Sequence, residues 1–82
     1  MQELKYRAVL LNTGEILECE TFRPIWGALK YHVDENPRIE FFNSGVHVST
    51  IATAPNGRIY YRRVNSLKQF DVTAQFARFI ER

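Results

Sequence analysis

Alternating apolar and polar residues at the start of the chain predict a β-hairpin. Residues 4–12 place Leu4, Tyr6, Ala8 and Leu10 on one face, and a second alternating run follows over residues 15–22. The intervening Thr13 and Gly14 match a two-residue hairpin loop, because glycine accepts the positive φ that tight turns require.

A two-residue loop also fixes which side chains face each other. The predicted pairs are Leu10–Leu17, Ala8–Cys19, Tyr6–Thr21 and, on the opposite face, Arg7–Glu20. Apolar partners on one face and an ion pair on the other favour this register. A one-residue slip would move every side chain of one strand to the other face.

A helix is predicted between Pro24 and Pro37. Proline is tolerated in the first turn of a helix, where its missing N–H has no intrahelical partner. Ile25, Leu29 and Val33 then recur at helical spacing. We expect the helix to end before Pro37, because the residue before a proline avoids the α region.

Three further strands are predicted over residues 38–43, 46–54 and 58–64. The turn Ser44-Gly45 separates the first two, and the turn Pro55-Asn56-Gly57 separates the second from the third. The three-residue loop predicts that Ile51 faces Tyr61. The apolar phase changes within residues 46–54, which indicates a β-bulge in that strand.

A second helix is predicted at the C-terminal end, with Asp71 as its N-cap. Its apolar stripe consists of Val72, Phe76, Phe79 and Ile80. The element order is therefore ββαβββα. It predicts an α+β fold in one domain, residues 1–82: a five-stranded, mostly antiparallel sheet with both helices packed on one face.

Composition limits the class of protein. A chain of 82 residues with 45% apolar residues has a thin core, with a stability margin of about 3–5 kcal/mol, which dimerisation would increase. One cysteine excludes an internal disulfide, and no apolar run is long enough for a membrane span. These features predict a soluble cytoplasmic protein that does not enter a membrane.

Side chains suited to catalysis are few and scattered. The chain has two histidines, His32 and His47, and one thiol, Cys19, without the spacing of a zinc site. The acidic neighbours of Cys19 differ from the electropositive setting that a nucleophilic thiol needs. An active site would require convergence from separate strands, for example of Glu40, His47 and Tyr60. The sequence therefore predicts no enzyme, no metal and no cofactor.

Two features predict binding. Strand periodicity places Arg58, Tyr60 and Arg62 on one face of residues 58–63, with Arg63 beside them. Tyrosine and arginine are typical interface anchors, and the same groups suit a stacked base with its phosphates. The net charge of +4 over residues 58–82, against −2 before them, adds a basic end.

The second feature is apolar. Val9, Leu11, Ile16 and Phe22 are predicted on the outer face of the first hairpin, where they form an exposed patch unless a helix or the segment at Leu67 and Phe70 covers them.

Together these features predict a non-catalytic protein–protein interaction module, a small regulator or inhibitor. It would bind another, acidic protein or itself as a homodimer through a sheet face. The partner-binding residues of this hypothesis are Arg58, Tyr60, Arg62, Arg63, Val9, Leu11 and Ile16. The alternative hypothesis is a nucleic-acid-binding protein that uses the basic strand at residues 58–63. The low net charge of +2 counts against this alternative.

Overall fold

Within residues 5–80, the chain forms one antiparallel sheet of six strands with two helices. The computed structural model describes residues 5–80. The elements in chain order are β1 (Tyr6–Leu10), β2 (Ile16–Cys19), α1 (Phe22–Leu29), β3 (Arg38–Asn43), β4 (Val46–Thr53), β5 (Ile59–Arg63), β6 (Phe70–Asp71) and α2 (Thr73–Ile80). The spatial order is β2-β1-β3-β4-β5-β6, and all neighbouring strands are antiparallel. The α+β class and the antiparallel sheet are confirmed.

The sheet has six strands instead of the predicted five. The additional strand, β6, pairs Phe70 with Tyr61 and Asp71 with Tyr60. The N–H of Val72 donates to the carbonyl of Ile59 at 2.8 Å, which keeps the chain extended until α2 begins. A two-residue strand has too short a pattern to be seen in the sequence.

The first hairpin pairs two residues away from the predicted register. Its connection spans residues 11–15, where Gly14 N–H donates to the carbonyl of Leu10 at 2.8 Å. Ala8 therefore faces Leu17 and Arg7 faces Glu18. Because the shift is an even number of residues, Leu17 stays on the core side. The start of the predicted strand, including Leu4, lies outside the described residues.

Helix α1 begins before Pro24 and ends at Leu29, well short of Pro37. The N–H of Val33 still donates to the carbonyl of Leu29 at 3.0 Å, after which the chain is irregular. The amide of Asn12 donates to the carboxylate of Asp34 at 3.1 Å. This contact joins the segment after α1 to the first hairpin.

The core lies between the helices and one face of the sheet. Its fully buried members include Ile25 and Leu29 from α1, Phe76 from α2, and Phe41 from β3. The indole of Trp26 joins the helices, since its ring lies 5.5 Å from that of Phe76 in a perpendicular arrangement. Both helices thus cover the same face of the sheet, as predicted.

The second half of the sheet follows the sequence prediction closely. Phe41 pairs with Ser49 and Phe42 with His47, so Val48 is the extra residue of a bulge in β4. Ile51 pairs with Tyr61. Gly57, with a φ of 85°, closes the following turn.

The start of α2 differs from the prediction by one residue. The carbonyl of Val72 accepts the first helical hydrogen bond, from Phe76 N–H, so Val72 is the N-cap. Asp71 precedes it and accepts a hydrogen bond from Thr73 N–H at 2.9 Å. Leu67 is fully exposed and Phe70 is 54% exposed, so neither side chain covers the opposite side of the sheet.

Candidate functional site

The side chains that point away from both helices form what we call the open face. Strand register arranges them in three rows across the sheet. The first row contains Ile16, Val9, Glu40, Thr50 and Arg62, on β2, β1, β3, β4 and β5 respectively. The predicted apolar patch and the predicted basic strand therefore lie on one continuous surface.

The exposures along this row differ. Ile16 is 51% exposed, Val9 is half-buried and Arg62 is exposed. Leu11 follows β1, where its N–H donates to the carbonyl of Arg38 at 2.8 Å, and its side chain is 47% exposed. The structure thus brings the three predicted apolar residues together at one end of the open face.

The second row contains Arg38, Ala52, Tyr60 and Asp71. At its end the Nε of Arg58 lies 2.7 Å from Oδ2 of Asp71. This hydrogen bond, with those from Thr73, lowers the pKa of Asp71 to about 2. The charge of Arg58 is therefore largely engaged within the chain.

The third row contains Glu18, Arg7, Phe42 and His47. Arg7 Nε lies 3.6 Å from Oε1 of Glu18. The rings of Phe42 and His47 lie 5.2 Å apart. Phe42 was not predicted at this surface, although its alternation with the buried Phe41 is a signal for it.

The charged groups of the open face differ in whether they have a partner of opposite charge. Glu18 lies beside Arg7, Asp71 beside Arg58, and Glu40 Oε2 is 3.7 Å from Nε2 of His47. Within residues 5–80, no carboxylate lies within ion-pair distance of Arg38 or Arg62. Among the rows described above, the open face thus has two unpaired guanidinium groups, whereas Glu18 and Asp71 each lie beside an arginine.

A shallow depression of about 320 Å³ lies in this surface. It is lined by small side chains, Thr50, Ala52, Thr53 and Ala54, and by the longer ones of Tyr60, Arg62 and Gln69. Small residues between longer ones leave a recess in which a partner's side chain can be surrounded.

Two predicted residues lie elsewhere. Arg63 pairs with Ser49 on the core side of the sheet, so it does not share a face with Arg62. Phe22 was predicted on the hairpin's outer face, and this is wrong. Phe22 begins α1, and its ring lies 5.3 Å from that of the buried Phe41.

Of the three groups considered for catalysis, Glu40 and His47 come together, with Oε2 and Nε2 3.7 Å apart. Tyr60 pairs with Ala52 in another row of the sheet and does not join them. Cys19 is half-buried on the core side. The described part of the chain contains no cluster of three or more His, Cys, Asp or Glu side chains arranged to hold a metal ion. Neither helix of residues 5–80 has the length and apolar character needed to cross a membrane.

Comparisons with protein-family models, with curated proteins and with solved structures find no match to this chain. The open face is therefore interpreted from its own side chains.

Proposed function

We propose that this chain is a non-catalytic protein-binding domain, a small regulator or inhibitor that docks an acidic surface of a partner protein on its open face. The observation that carries this proposal is the pair of unpaired arginines, Arg38 and Arg62, on a sheet face that neither helix covers. A partner that supplies carboxylates there would complete the ion pairs.

The chemistry of the open face suits a protein surface. Tyr60 and Arg62 are of the residue types that contribute most to interfaces. Val9, Ile16 and Phe42 add apolar area between the charges. Desolvation by a partner would strengthen the pairing of each arginine with an incoming carboxylate.

Charge distinguishes an acidic partner from the two other occupants. In a face-to-face homodimer, two copies would each bring unpaired Arg38 and Arg62, which repel. In a nucleic-acid complex, the phosphates would meet Glu18, Glu40 and Asp71 on the same surface. A polyanion meets all of these carboxylates along its backbone, whereas a protein can place its acidic side chains beside Arg38 and Arg62 alone. This difference favours an acidic protein over the alternative hypothesis.

The test is a double substitution, Tyr60→Ala with Arg62→Ala, and its effect on a partner captured from the host and then purified. Neither side chain is fully buried, so the fold is retained. We expect affinity to fall at least a hundredfold, which corresponds to about 2.7 kcal/mol, in calorimetric titration of the purified pair. The affinity of the unsubstituted chain for its partner should also fall at high salt, which screens the ion pairs.

A matched control removes the same residue types elsewhere. Tyr31 is 65% exposed after α1 and Arg78 lies in the last turn of α2. The Tyr31→Ala and Arg78→Ala double variant should bind as the unsubstituted chain does. If the Tyr60/Arg62 variant bound the partner as tightly as the unsubstituted chain, these two residues would not belong to the binding site. Steeply salt-dependent binding of mixed single-stranded DNA or RNA, lost in that variant, would favour the nucleic-acid alternative instead.

A further inference from the structure

A second surface lies on the helix side of the sheet, between the first turns of α1 and strand β5. It is an apolar groove of about 570 Å³, lined by Phe22, Arg23, Trp26, Tyr61 and Val72. We call it the aromatic groove. It is separate from the open face, because Tyr61 and Tyr60 point to opposite sides of β5.

The aromatic groove exists because the two helices do not cover the whole sheet. The rings of Phe76 and Phe79 lie 5.5 and 5.8 Å from that of Trp26, and neither of them lines the groove. Phe22 is 37% exposed. Nearby, Phe70 is 54% exposed and its ring lies 6.5 Å from that of Tyr61.

The charge beside the groove has one sign. Arg23 is the basic side chain that lines it, and no carboxylate lines it. Within residues 5–80, Arg23 has no ion-pair partner. Arg63 lies two residues beyond Tyr61 and on the same side of β5, so the β5 end is basic as well. An apolar surface with unpaired cations is complementary to an apolar group next to an anion.

We infer that the aromatic groove binds a short linear segment of a partner protein, in which a bulky apolar side chain stands next to a carboxylate. The groove is open to solvent along its length. A small molecule bound there would stay largely exposed, whereas small-molecule sites bury most of their ligand. An extended peptide can insert one side chain into the groove while its backbone lies across the surrounding surface. Its carboxylate then pairs with Arg23. This inference does not rest on the function proposed for the open face.

The test uses a phage-displayed library of random linear peptides, selected on the full chain. We expect the enriched peptides to share an aromatic or large aliphatic residue adjacent to Asp or Glu. Trp26 is the chain's single tryptophan, so its fluorescence reports occupancy directly. Binding of a synthetic peptide from the enriched set should shift Trp26 emission in a saturable manner.

Matched variants locate the contact. Arg23→Glu should weaken the peptide at least tenfold, whereas Arg78→Glu, the same change on an exposed site of α2, should leave affinity within twofold. Val72→Ser removes part of the apolar wall and places a favourable N-cap residue before α2, so it should weaken the peptide several-fold without unfolding the chain.

Four results would overturn the inference. The first three are no enriched sequence, enriched sequences without a carboxylate, and equal affinity for Arg23→Glu. The fourth is a peptide weakened by the Tyr60/Arg62 double variant instead, which would place its contact on the open face. Failure of the aromatic groove to bind would leave the open-face proposal intact, because Arg23 and Val72 do not belong to the open face.

Discussion

The two faces of the sheet are built from the same strands but from different chemistry. Phe41 and Phe42 are neighbours in β3, yet Phe41 is 1% exposed beneath α1, whereas Phe42 lies on the open face beside His47. Within residues 5–80, the side chains buried on the covered face are apolar except for Ser49. Strand parity, and not hydrophobicity alone, decides which aromatic residue stabilises the fold and which remains available for contact.

The largest expected effect comes from breaking the covered face at Phe41. Phe41→Ala should lower the free energy of unfolding by about 3–5 kcal/mol, because the site loses packing against Phe22 and a cavity remains. In a chain of this size that loss is comparable to the total stability. Phe42→Ala, the neighbouring control, should cost about 1 kcal/mol. Urea unfolding measures both, and similar losses for the two would contradict the assignment of faces.

A pH-dependent effect is expected at the edge of the open face. The folded-state pKa of Asp71 is lowered from 3.8 to about 2. Its contribution to stability is therefore fully present above about pH 4 and is lost as pH falls through 2. Asp71→Asn should be less stable than the unsubstituted chain at neutral pH, and the difference should shrink between pH 4 and pH 2.

Arg58→Gln provides the control for this experiment. Because Arg58 is the largest cause of the lowered pKa of Asp71, Asp71→Asn should cost less in an Arg58→Gln background. Thermal unfolding at a series of pH values gives all four stabilities. If the stability difference between Asp71→Asn and the unsubstituted chain stayed constant between pH 4 and pH 2, the pKa of Asp71 would not be lowered by the fold.

The smallest expected effect is a gain in stability on the outer side of α1. Gly27 is exposed inside the helix, and a Cβ built there meets no atom within 4 Å. Gly27→Ala should therefore raise the free energy of unfolding by about 0.5–1 kcal/mol. The same substitution at Gly57, where φ is 85°, should be destabilising. If Gly27→Ala lowered the free energy of unfolding instead, α1 would have a contact that requires the absence of a side chain at position 27.

Much of the fold was predictable where short-range signals determine it. The register across Pro55-Asn56-Gly57, the bulge at Val48 and the extent of β3 all follow from turn residues and alternation. The first hairpin was predicted less well. Its longer connection is closed by backbone hydrogen bonds to Leu10, and these leave no distinct residue pattern.

The candidate site was predictable only in part. Alternation correctly separated Tyr60 from Tyr61, but no local pattern indicates that Arg58 pairs with Asp71. That ion pair depends on β6, a strand too short to recognise. The irregular segment after α1 likewise makes a contact that no local pattern predicts, since Asp34 accepts a hydrogen bond from Asn12 in another part of the chain. The aromatic groove was not predicted, because it depends on where both helices stop.

The position of β1 between β2 and β3 has a consequence for the order of folding. Strands β3, β4 and β5 are joined by tight turns, whereas Tyr6 reaches its β3 partner Asn43 only after α1 has been traversed. Closing the longer loop costs more entropy, so we expect residues 38–63 to assemble first and the N-terminal hairpin to dock last. Amide exchange should then be fastest in β2, and φ-values should be near zero at Leu17 and high at Ile51.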